Sequence, residues 1–460
     1  MPECAGLQFL PDILGRNNSM NMLSRALSFF QPAPQIKRLP EGTIKNLYSW
    51  TRWRILSSTF FGYAVFYTVR NNLPPVSKEM GAALGYDKAM VGTILASTAL
   101  AYGVGKLVMG SFSDRSNPKK FMPFALLITA ACNFAFGASS SYTVHLTLWM
   151  INGFVQGGGW GPCGRSVGHW FSMRERGTVF GFWNIAHNVG GATAGILSAF
   201  AAAHWGWQSA FYIPGVLAVV SAVILFIVLV DTPQSMGLPP IEEYKNDYPQ
   251  ENRTVNEAEL SAKELFVTYV LKNKYLWLFA SANFFVYITR YSMLAWGPTY
   301  LKEVKGATLM SGGTSTFILE IAGIPGTLIV GWLSDKASGR RGRACLYCMF
   351  PIFFAFLGLM LNPPGHLWID MALLGVIGFF VYPPVMLLGV SALDLTSKKA
   401  VGTAAGFIGL FGYLGSMAQA QGIGYLAQHY GWNSVFIAIL GCTSAAMVIL
   451  AFTWNIKPRA

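Results

Sequence analysis

Long apolar stretches alternate with short polar ones along most of the chain. The apolar segments lie near residues 52–76, 89–113, 120–140, 143–171, 177–203 and 208–230, and again near 275–301, 307–334, 344–361, 367–393, 400–426 and 432–455. A helix needs about 20 predominantly apolar residues, with a range of about 17–25, to cross a bilayer. The pattern therefore predicts twelve transmembrane helices.

One long polar stretch divides these segments into two sets of six. Residues 232–272 are rich in Pro, Glu, Asp, Lys and Asn. We therefore expect an N-terminal tail at 1–50, a first six-helix bundle at 51–231, a linker at 232–272 and a second six-helix bundle at 273–456. Residues 1–21 lack the basic and long apolar regions of a secretory signal, so we expect no cleaved signal there and interpret them as a dispensable extension.

The two sets of segments are repeats of each other. The motif GSFSDR at 110–115 matches GWLSDK at 331–336, and HWGWQSAF at 204–211 matches HYGWNSVF at 429–436. The offsets are 221 and 225 residues. Because each set has an even number of spans, both halves enter the membrane from the same side. The sequence thus predicts an all-α membrane protein whose two bundles are related by a pseudo-twofold axis along the membrane normal.

Composition and charge agree with a membrane protein. Of 460 residues, 53% are hydrophobic and 12% are charged, whereas soluble domains carry roughly 25% charged residues. The net charge of +13 lies in short clusters between apolar runs, where anionic lipid and the orientation rule explain it, so we expect no nucleic-acid partner. Cys345 and Cys348 form a lone CxxC without a second ligand pair, so we expect no metal.

The basic residues of the short loops predict the orientation. One side carries eleven of them, whereas the other side carries only Lys78, Lys88, Lys302 and Lys305. The richer side should be cytoplasmic, together with both termini and the linker. Its basic residues are Arg115, Lys119, Lys120, Arg174, Arg176, Lys336, Arg340, Arg341, Arg343, Lys398 and Lys399.

Two arginines lie at matching places inside apolar segments of the two halves. Arg70 ends the motif YTVR at 67–70, and Arg290 ends YITR at 287–290. Each follows a basic residue, Arg54 or Lys274, by 16 positions, which is about 24 Å along a helix. An ionisable residue at such depth marks a functional site. The alternative for Arg70, which precedes two asparagines and two prolines, is a side chain that reaches the outer interface.

Phosphate binding is the chemistry that two such arginines suit. A guanidinium presents a planar fork of donors that matches phosphate oxygens. Two forks that face each other across the pseudo-twofold axis would hold one phosphate from two sides.

Three other ionisable residues lie at membrane depth. Lys106 is about 12 Å into the second span and His187 about 16 Å into the fifth, counted from the basic side. His187 is either a ligand or a satisfied core residue, and a bound dianion would favour its protonated form. Glu320, near the middle of the eighth span, is either a proton carrier or a counter-charge, and the excess of bases favours the counter-charge.

Polar and aromatic side chains at comparable depths complete the candidate site. Tyr67 and Tyr287 share a helical face with the two arginines. The other candidates are Tyr63, Tyr382, Tyr413 and Asn184. The sequence shows no nucleophile beside a base, no metal cluster and no complete phosphate loop, so we expect a transporter without a cofactor and not an enzyme.

Several longer motifs carry a family resemblance. They include FFGYA at 60–64, WNIAHNVGG at 183–191, DTPQS at 231–235, GLPPIEEYKNDYP at 237–249 and GLFGYLG at 409–415. With them the chain, from about residue 22 to its end, resembles the organophosphate:phosphate antiporters of the major facilitator superfamily. The resemblance implies the major facilitator fold, alternating access, and import of glycerol 3-phosphate in exchange for inorganic phosphate across the inner membrane.

The resemblance also implies roles for the candidate residues. Arg70 and Arg290 would bind the phosphoryl group, and Glu320 would be a charged partner inside the cavity. The surrounding residues would be Lys106, His187, Tyr67, Tyr287, Tyr382 and Tyr413. We expect a monomer in lipid.

Two departures from the family pattern leave the substrate open. Asn71 stands where glycerol-3-phosphate and hexose-phosphate members usually have lysine, and Ala295 stands where they have aspartate. Neutral residues there are also typical of the phosphoglycerate branch. A phosphoglycerate or hexose 6-phosphate antiporter, a proton-coupled symporter that uses Glu320 or His187, and a transporter-like sensor therefore remain alternatives.

Overall fold

The computed structural model describes residues 28–114, 116–247, 267, 270–336, 340–395 and 401–456. Its first half contains α1 (Glu41–Thr68), α2 (Leu73–Leu84), α3 (Lys88–Asp114), α4 (Pro118–Ala138), α5 (Tyr142–Gln156), α6 (Trp160–Trp170), α7 (Met173–Asn184), α8 (Ala186–Trp205) and α9 (Ser209–Val228). A short helix α10 (Ile241–Lys245) follows. The second half contains α11 (Lys274–Val304), α12 (Leu309–Lys336), α13 (Arg341–Leu361), α14 (Leu367–Leu395), α15 (Val401–His429) and α16 (Gly431–Phe452).

These helices form the predicted twelve spans. Six helices in the described ranges are long and apolar enough to cross a membrane, and they lie in α4, α9, α12, α13, α14 and α16. Of the other spans, three are built from two consecutive helices each, namely α1 with α2, α5 with α6, and α7 with α8. The last three, α3, α11 and α15, are single helices. The expectation of an all-α membrane protein is confirmed.

Three spans that the hydrophobic pattern predicted as single helices are interrupted, all in the first half. α5 ends at Gln156, and a run of glycines follows. The chain there contacts the backbone of α3 so closely that a Cβ on Gly157 would lie 2.3 Å from the carbonyl carbon of Gly105. Only glycine fits at such a contact. At Ile185 the chain makes a tighter turn, in which the Ile185 N–H donates to Phe182 O at 3.1 Å. Hydrophobicity does not reveal such breaks, since the segments stay apolar throughout.

The break in the first span is held by buried amides. The carbonyl of Val69, which no longer has a regular helical partner, accepts hydrogen bonds from Asn133 Nδ2 and Asn152 Nδ2, both at 3.0 Å. Asn72 Nδ2 donates to Asn133 Oδ1 at 2.7 Å. All three asparagines are buried. A buried network in which these amides pair with one another and with the backbone is rigid, so it sets the direction in which Arg70 leaves the chain.

The two halves meet mainly along two pairs of helices, and α2 of the first half also packs on α11 and α12 of the second. α8 packs on α12, and α3 packs on α15. The first crossing is close because both helices carry glycine: a Cβ on Gly313 would lie 2.5 Å from Ala199 Cβ and 2.5 Å from Gly195 O. Neighbouring helices in membranes approach closely where residues are small.

Hydrogen bonds and ion pairs between the halves cluster at one end of the molecule. We call this end, where α2 ends and α3 and α12 begin, the distal end, and the opposite end the basic end. Most of these contacts among the described residues lie at the distal end, and those between Asn188 and Glu320 and between Tyr102 and Tyr413 lie near the centre. The distal contacts include Ser77 Oγ to Thr299 Oγ1 at 2.8 Å, Lys302 Nζ to Glu79 Oε2 at 2.6 Å, and Lys88 Nζ to Glu303 Oε2 at 3.2 Å.

Lys302 is not the solvated loop residue that the orientation argument assumed. It lies in the last turn of α11 with a side chain that is 2% exposed, and it pairs with Glu79 of the other half. An ammonium in that position needs such a partner, because a buried charge is stable only when it is paired.

Towards the basic end the halves separate. A Cβ on Gly92 would lie 2.6 Å from Ala420 O across the halves, whereas one on Gly409 would meet nothing within 4 Å. The side chain of Lys106, on the face of α3 that points to the second half, is exposed. The structure is therefore closed at the distal end and open towards the basic end.

The basic end of the first half is held by ion pairs. Asp231 is buried and pairs with Arg165 at 2.9 Å. Arg52 of α1 pairs with Glu175, which also accepts a hydrogen bond from the N–H of Ser172 and so caps α7.

The first part of the predicted linker docks against the first half. Leu238 and Ile241 are buried in its core, and Tyr244 stacks on Tyr48 of α1 with ring centroids 4.1 Å apart. The N–H of Leu39 donates to Gly237 O at 2.8 Å. The polar composition that predicted a linker did not reveal these apolar anchors, and residues 248–266 lie outside the described part.

Candidate functional site

The two arginines lie in aromatic surroundings. The Arg70 guanidinium, between α1 and α2, lies 4.0 Å from the ring centroid of Tyr67 and 4.6 Å from that of Tyr102. The Arg290 guanidinium, in α11, lies 4.4 Å from the ring of Tyr382 and 5.0 Å from that of Tyr291. An aromatic face stabilises a cation and leaves its N–H edges free. Neither arginine points towards lipid.

One series of rings joins the arginines across the halves. Tyr67 lies 5.8 Å from His187, and His187 lies 5.8 Å from Tyr382, whose ring packs on Arg290. Tyr382 belongs to the second half and the other two rings to the first. The structure thus links Arg70, Tyr67, His187, Tyr382 and Arg290 in one series of contacts.

A second series of rings closes the other side. Tyr102 of α3 lies 5.2 Å from Tyr413 of α15, and Tyr413 lies 5.9 Å from Tyr287 of α11. The Tyr287 ring lies 6.0 Å from the Arg290 guanidinium. Two series of aromatic rings therefore connect the surroundings of the two arginines.

A cavity of about 100 Å³ lies on the distal side of these rings. Both halves line it, and Arg70 is the charged residue of its lining. The remaining lining residues are Asn71, Pro74, Leu95, Thr98, Ala99, Tyr102, Trp149, Tyr291, Leu294, Ala295, Thr316, Tyr413, Ser416, Gln419 and Ala420. The two positions that depart from the family pattern, Asn71 and Ala295, thus face one cavity.

Arg290 does not line this cavity directly. It is 6% exposed and lies behind the rings of Tyr291 and Tyr382. Its Nε atom has no hydrogen-bond partner among the described residues, whereas the Tyr382 hydroxyl lies beside Glu320 and the Arg290 guanidinium. One N–H group of Arg290 therefore remains available at the inner wall of the site.

Lys106 lies on the open side of the site. Its Nζ atom is 5.6 Å from the ring centroid of Tyr413 in the other half, and its side chain is exposed. Counting along the helix predicted that Lys106 lies at membrane depth. The structure places its ammonium beside Tyr413, on the face of α3 that points to the second half.

Glu320 reaches from α12 into the first half. Asn188 Nδ2 donates to Glu320 Oε2 at 3.0 Å and to Glu320 O at 3.1 Å. Glycine at the next turn of α8 leaves room for the carboxylate, since a Cβ on Gly191 would lie 2.5 Å from Glu320 Oε1. Within the described residues no cation lies within 4.0 Å of this carboxylate. Glu320 is 1% exposed.

The remaining candidates surround the first arginine. His187 Nδ1 contacts the backbone carbonyl of Asn184, which lies at the turn between α7 and α8. This contact positions the imidazole between Tyr67 and Tyr382. Tyr63 is buried one turn before Tyr67, with its ring 4.6 Å from that of Trp183.

Several residues at the site were not predicted as ligands from the sequence. Asn188, the partner of Glu320, follows His187 directly. Tyr102 and Tyr291 pack on the arginines. The positions Tyr413, Ser416 and Gln419 recur at helical spacing in an apolar segment, a signal that could have identified the cavity-lining face of α15.

Comparison with known proteins agrees with this architecture. Residues 59–420 match the sequence profile described as Major Facilitator Superfamily. The chain is 43% identical over 444 residues to a glycerol-3-phosphate transporter of Bacillus subtilis, covering 94% of this chain and 99% of that protein. It is 40% identical over 439 residues to a probable hexose phosphate transport protein of Chlamydia pneumoniae, covering 93% and 96%.

Solved structures agree with the fold. A bacterial homologue of the human lysosomal transporter Spinster, in an inward-facing and unoccupied conformation, superposes with a TM-score of 0.66 at 15% identity, covering 88% of this chain and 95% of that one. At such identity the match shows the fold alone. Together with the sequence matches, it establishes that the chain belongs to the major facilitator superfamily and, within it, to the organophosphate:phosphate antiporters.

Proposed function

We propose that this protein imports glycerol 3-phosphate in exchange for cytoplasmic inorganic phosphate. The observation that carries the proposal is that Arg70 and Arg290, one from each half, pack on aromatic rings that are in contact across the halves. A phosphoryl dianion offers both guanidinium groups charge-assisted hydrogen bonds. The same anion would then contact both halves at once.

Such a contact couples binding to alternating access. The site holds the cations Arg70, Arg290 and Lys106 against one carboxylate, Glu320. Closing the empty site would bury uncompensated positive charge, which is costly. A bound dianion offsets that charge and makes the closed intermediate accessible. Phosphate and an organophosphate both carry the dianion, so either one allows the loaded carrier to change between its two open conformations. Import of one anion is therefore coupled to export of the other.

We propose that the basic end faces the cytoplasm of a cell whose inner membrane holds the protein. The described basic residues of that end include Arg174, Arg176, Arg341 and Arg343, and such clusters favour the cytoplasmic side. The open mouth would then admit inorganic phosphate, whose outward gradient drives uptake. Both termini lie on this side in the proposal, and the carrier works as a monomer in lipid.

The preferred organophosphate in this proposal is glycerol 3-phosphate. The name of the B. subtilis relative supports that substrate, and the relative of C. pneumoniae supports a hexose phosphate as the competitor. Phosphoglycerate remains the third candidate, because Asn71 and Ala295 are neutral.

Counterflow into proteoliposomes tests the proposal. Vesicles loaded with phosphate should take up labelled glycerol 3-phosphate faster than hexose 6-phosphate or phosphoglycerate, and vesicles without internal phosphate should take up none. Uptake into phosphate-free vesicles driven by a pH gradient would instead identify a proton-coupled symporter. Ligand-induced thermal stabilisation without any uptake would identify a sensor.

Glu320 is expected to act as a counter-charge, and Glu320→Gln tests this role. Glutamine keeps the shape and can still accept the hydrogen bond from Asn188, but the site loses its negative charge. The anion should then bind at least as tightly and leave more slowly, so turnover should fall about tenfold while KM does not rise, a difference of about 1.4 kcal/mol in the barrier.

Phosphate self-exchange in proteoliposomes measures both parameters. Glu243→Gln, which removes an exposed carboxylate paired with Arg38 at the basic end, is the matched control and should leave both unchanged. A raised KM with normal turnover for Glu320→Gln would contradict the counter-charge role.

A further inference from the structure

The cavity distal to Arg70 contains buried polar atoms that lack partners. Thr316 Oγ1 and Gln419 Oε1 make no hydrogen bond to any described residue. The two residues are 3% and 4% exposed, and both line the cavity. A buried acceptor or hydroxyl without a partner is costly, so such atoms mark places where another molecule supplies the hydrogen bond.

These atoms converge from different helices. Thr316 lies on α12, and its side chain packs against Gly195 of α8, where a Cβ would come within 2.8 Å of Thr316 Cβ. Gln419 lies on α15, two turns beyond Tyr413. The cavity between them begins at Arg70 and extends away from the open basic end. A molecule whose anionic end is held at Arg70 would therefore project its other end between Thr316 and Gln419.

The lining selects the chemistry of that end. Apart from Arg70, the polar groups around the cavity are hydroxyls, amides and phenols, including Thr98, Asn71 and Ser416. Neutral donors and acceptors satisfy the hydroxyl groups of a polyol. A second carboxylate would lose its hydration without gaining a further cation, which is unfavourable.

The cavity has room for more than one water. A water needs roughly 10–15 Å³ of cavity volume, so a cavity of about 100 Å³ admits a short hydroxylated carbon chain.

We propose that this cavity is the subsite for the hydroxylated carbon chain of the organophosphate, and that Thr316 and Gln419 recognise its hydroxyl groups. The inference rests on the proposed function. In this proposal, Thr316 and Gln419 are the residues by which the protein distinguishes a three-carbon polyol phosphate from inorganic phosphate and from alkyl phosphates.

Comparison of glycerol 3-phosphate with propyl phosphate tests the subsite, because propyl phosphate has the same carbon chain without hydroxyls. Both are offered as competitors of labelled phosphate in phosphate-loaded proteoliposomes. The native protein should prefer glycerol 3-phosphate. Gln419→Leu and Thr316→Val should each raise the inhibition constant of glycerol 3-phosphate roughly 3- to 10-fold. The constants for propyl phosphate and phosphate should stay within about twofold, well below that loss.

Thr51→Val is the matched control, since Thr51 is also buried with an unpartnered hydroxyl but lies at the basic end of α1. It should change no constant. If both site variants still prefer glycerol 3-phosphate to propyl phosphate as the native protein does, the subsite is refuted. The cavity would then be only a water-filled void. Parallel loss of affinity for all three anions would also overturn it, because it would show a structural role. Absence of phosphate self-exchange in the native protein would instead refute the proposed function.

Discussion

Arg70→Lys and Arg290→Lys are each expected to abolish exchange. Lysine keeps the positive charge but presents a single ammonium in place of a planar fork, so it cannot give a phosphoryl group two parallel hydrogen bonds. A hydrogen bond to a charged group contributes about 1.5–3 kcal/mol, and a loss of about 3 kcal/mol lowers the rate roughly 100-fold. Phosphate self-exchange in proteoliposomes is the measurement, because it needs no assumption about the organic substrate.

The aromatic surroundings add to the expected loss. Both guanidinium groups lie on tyrosine rings within 4.6 Å, and these rings orient the fork before the anion arrives. An ammonium would not stack in the same way.

Arg343→Lys is the matched control for the arginine variants. Arg343 lies at the basic end, stacks on Trp454 at 4.5 Å and donates through Nε to Trp454 O at 2.8 Å. It therefore undergoes the same chemical change in a similar environment outside the site, and it should transport normally. Near-normal exchange by either Arg70→Lys or Arg290→Lys would refute the paired-arginine site.

Cross-linking the distal end is expected to arrest exchange completely. Ser77 of α2 and Thr299 of α11 lie in different halves, and their hydroxyl oxygens are 2.8 Å apart. This distance brings their β carbons close to the separation of about 3.5–4.5 Å that a disulfide requires. In a cysteine-free background, oxidised Ser77→Cys/Thr299→Cys protein should hold the distal end closed, and a reductant should restore exchange.

A second cysteine pair distinguishes arrest from damage. Thr289 and Thr443 lie in α11 and α16 of the same half, with hydroxyl oxygens 3.3 Å apart. A disulfide between them would not join the halves, so cross-linked Thr289→Cys/Thr443→Cys protein should continue to exchange. Mass spectrometry would verify both cross-links. Full exchange by protein cross-linked between positions 77 and 299 would mean that the distal end need not open.

The depth of the charged residues was predictable from sequence because a helix advances by a constant rise per residue. Counting from Arg54 and Lys274 predicted that Arg70 and Arg290 lie at matching levels, and the internal repeat predicted one from each half. The same count could not predict the exposure of Lys106, which depends on how far the halves diverge at its level. The roles of all these residues in binding remain predictions.

Hydrophobic periodicity together with the repeat specified the number of spans, their division into two bundles and the residues most suited to bind phosphate. These properties are local or repeat along the chain, so they can be read from the order of residues. The interrupted helix before Arg70, the partner of Glu320 and the cavity between Thr316 and Gln419 depend on contacts between residues more than 60 positions apart. Such contacts form only when helices pack, because the carbonyl of Val69 and the carboxylate of Glu320 find their amide partners on other spans.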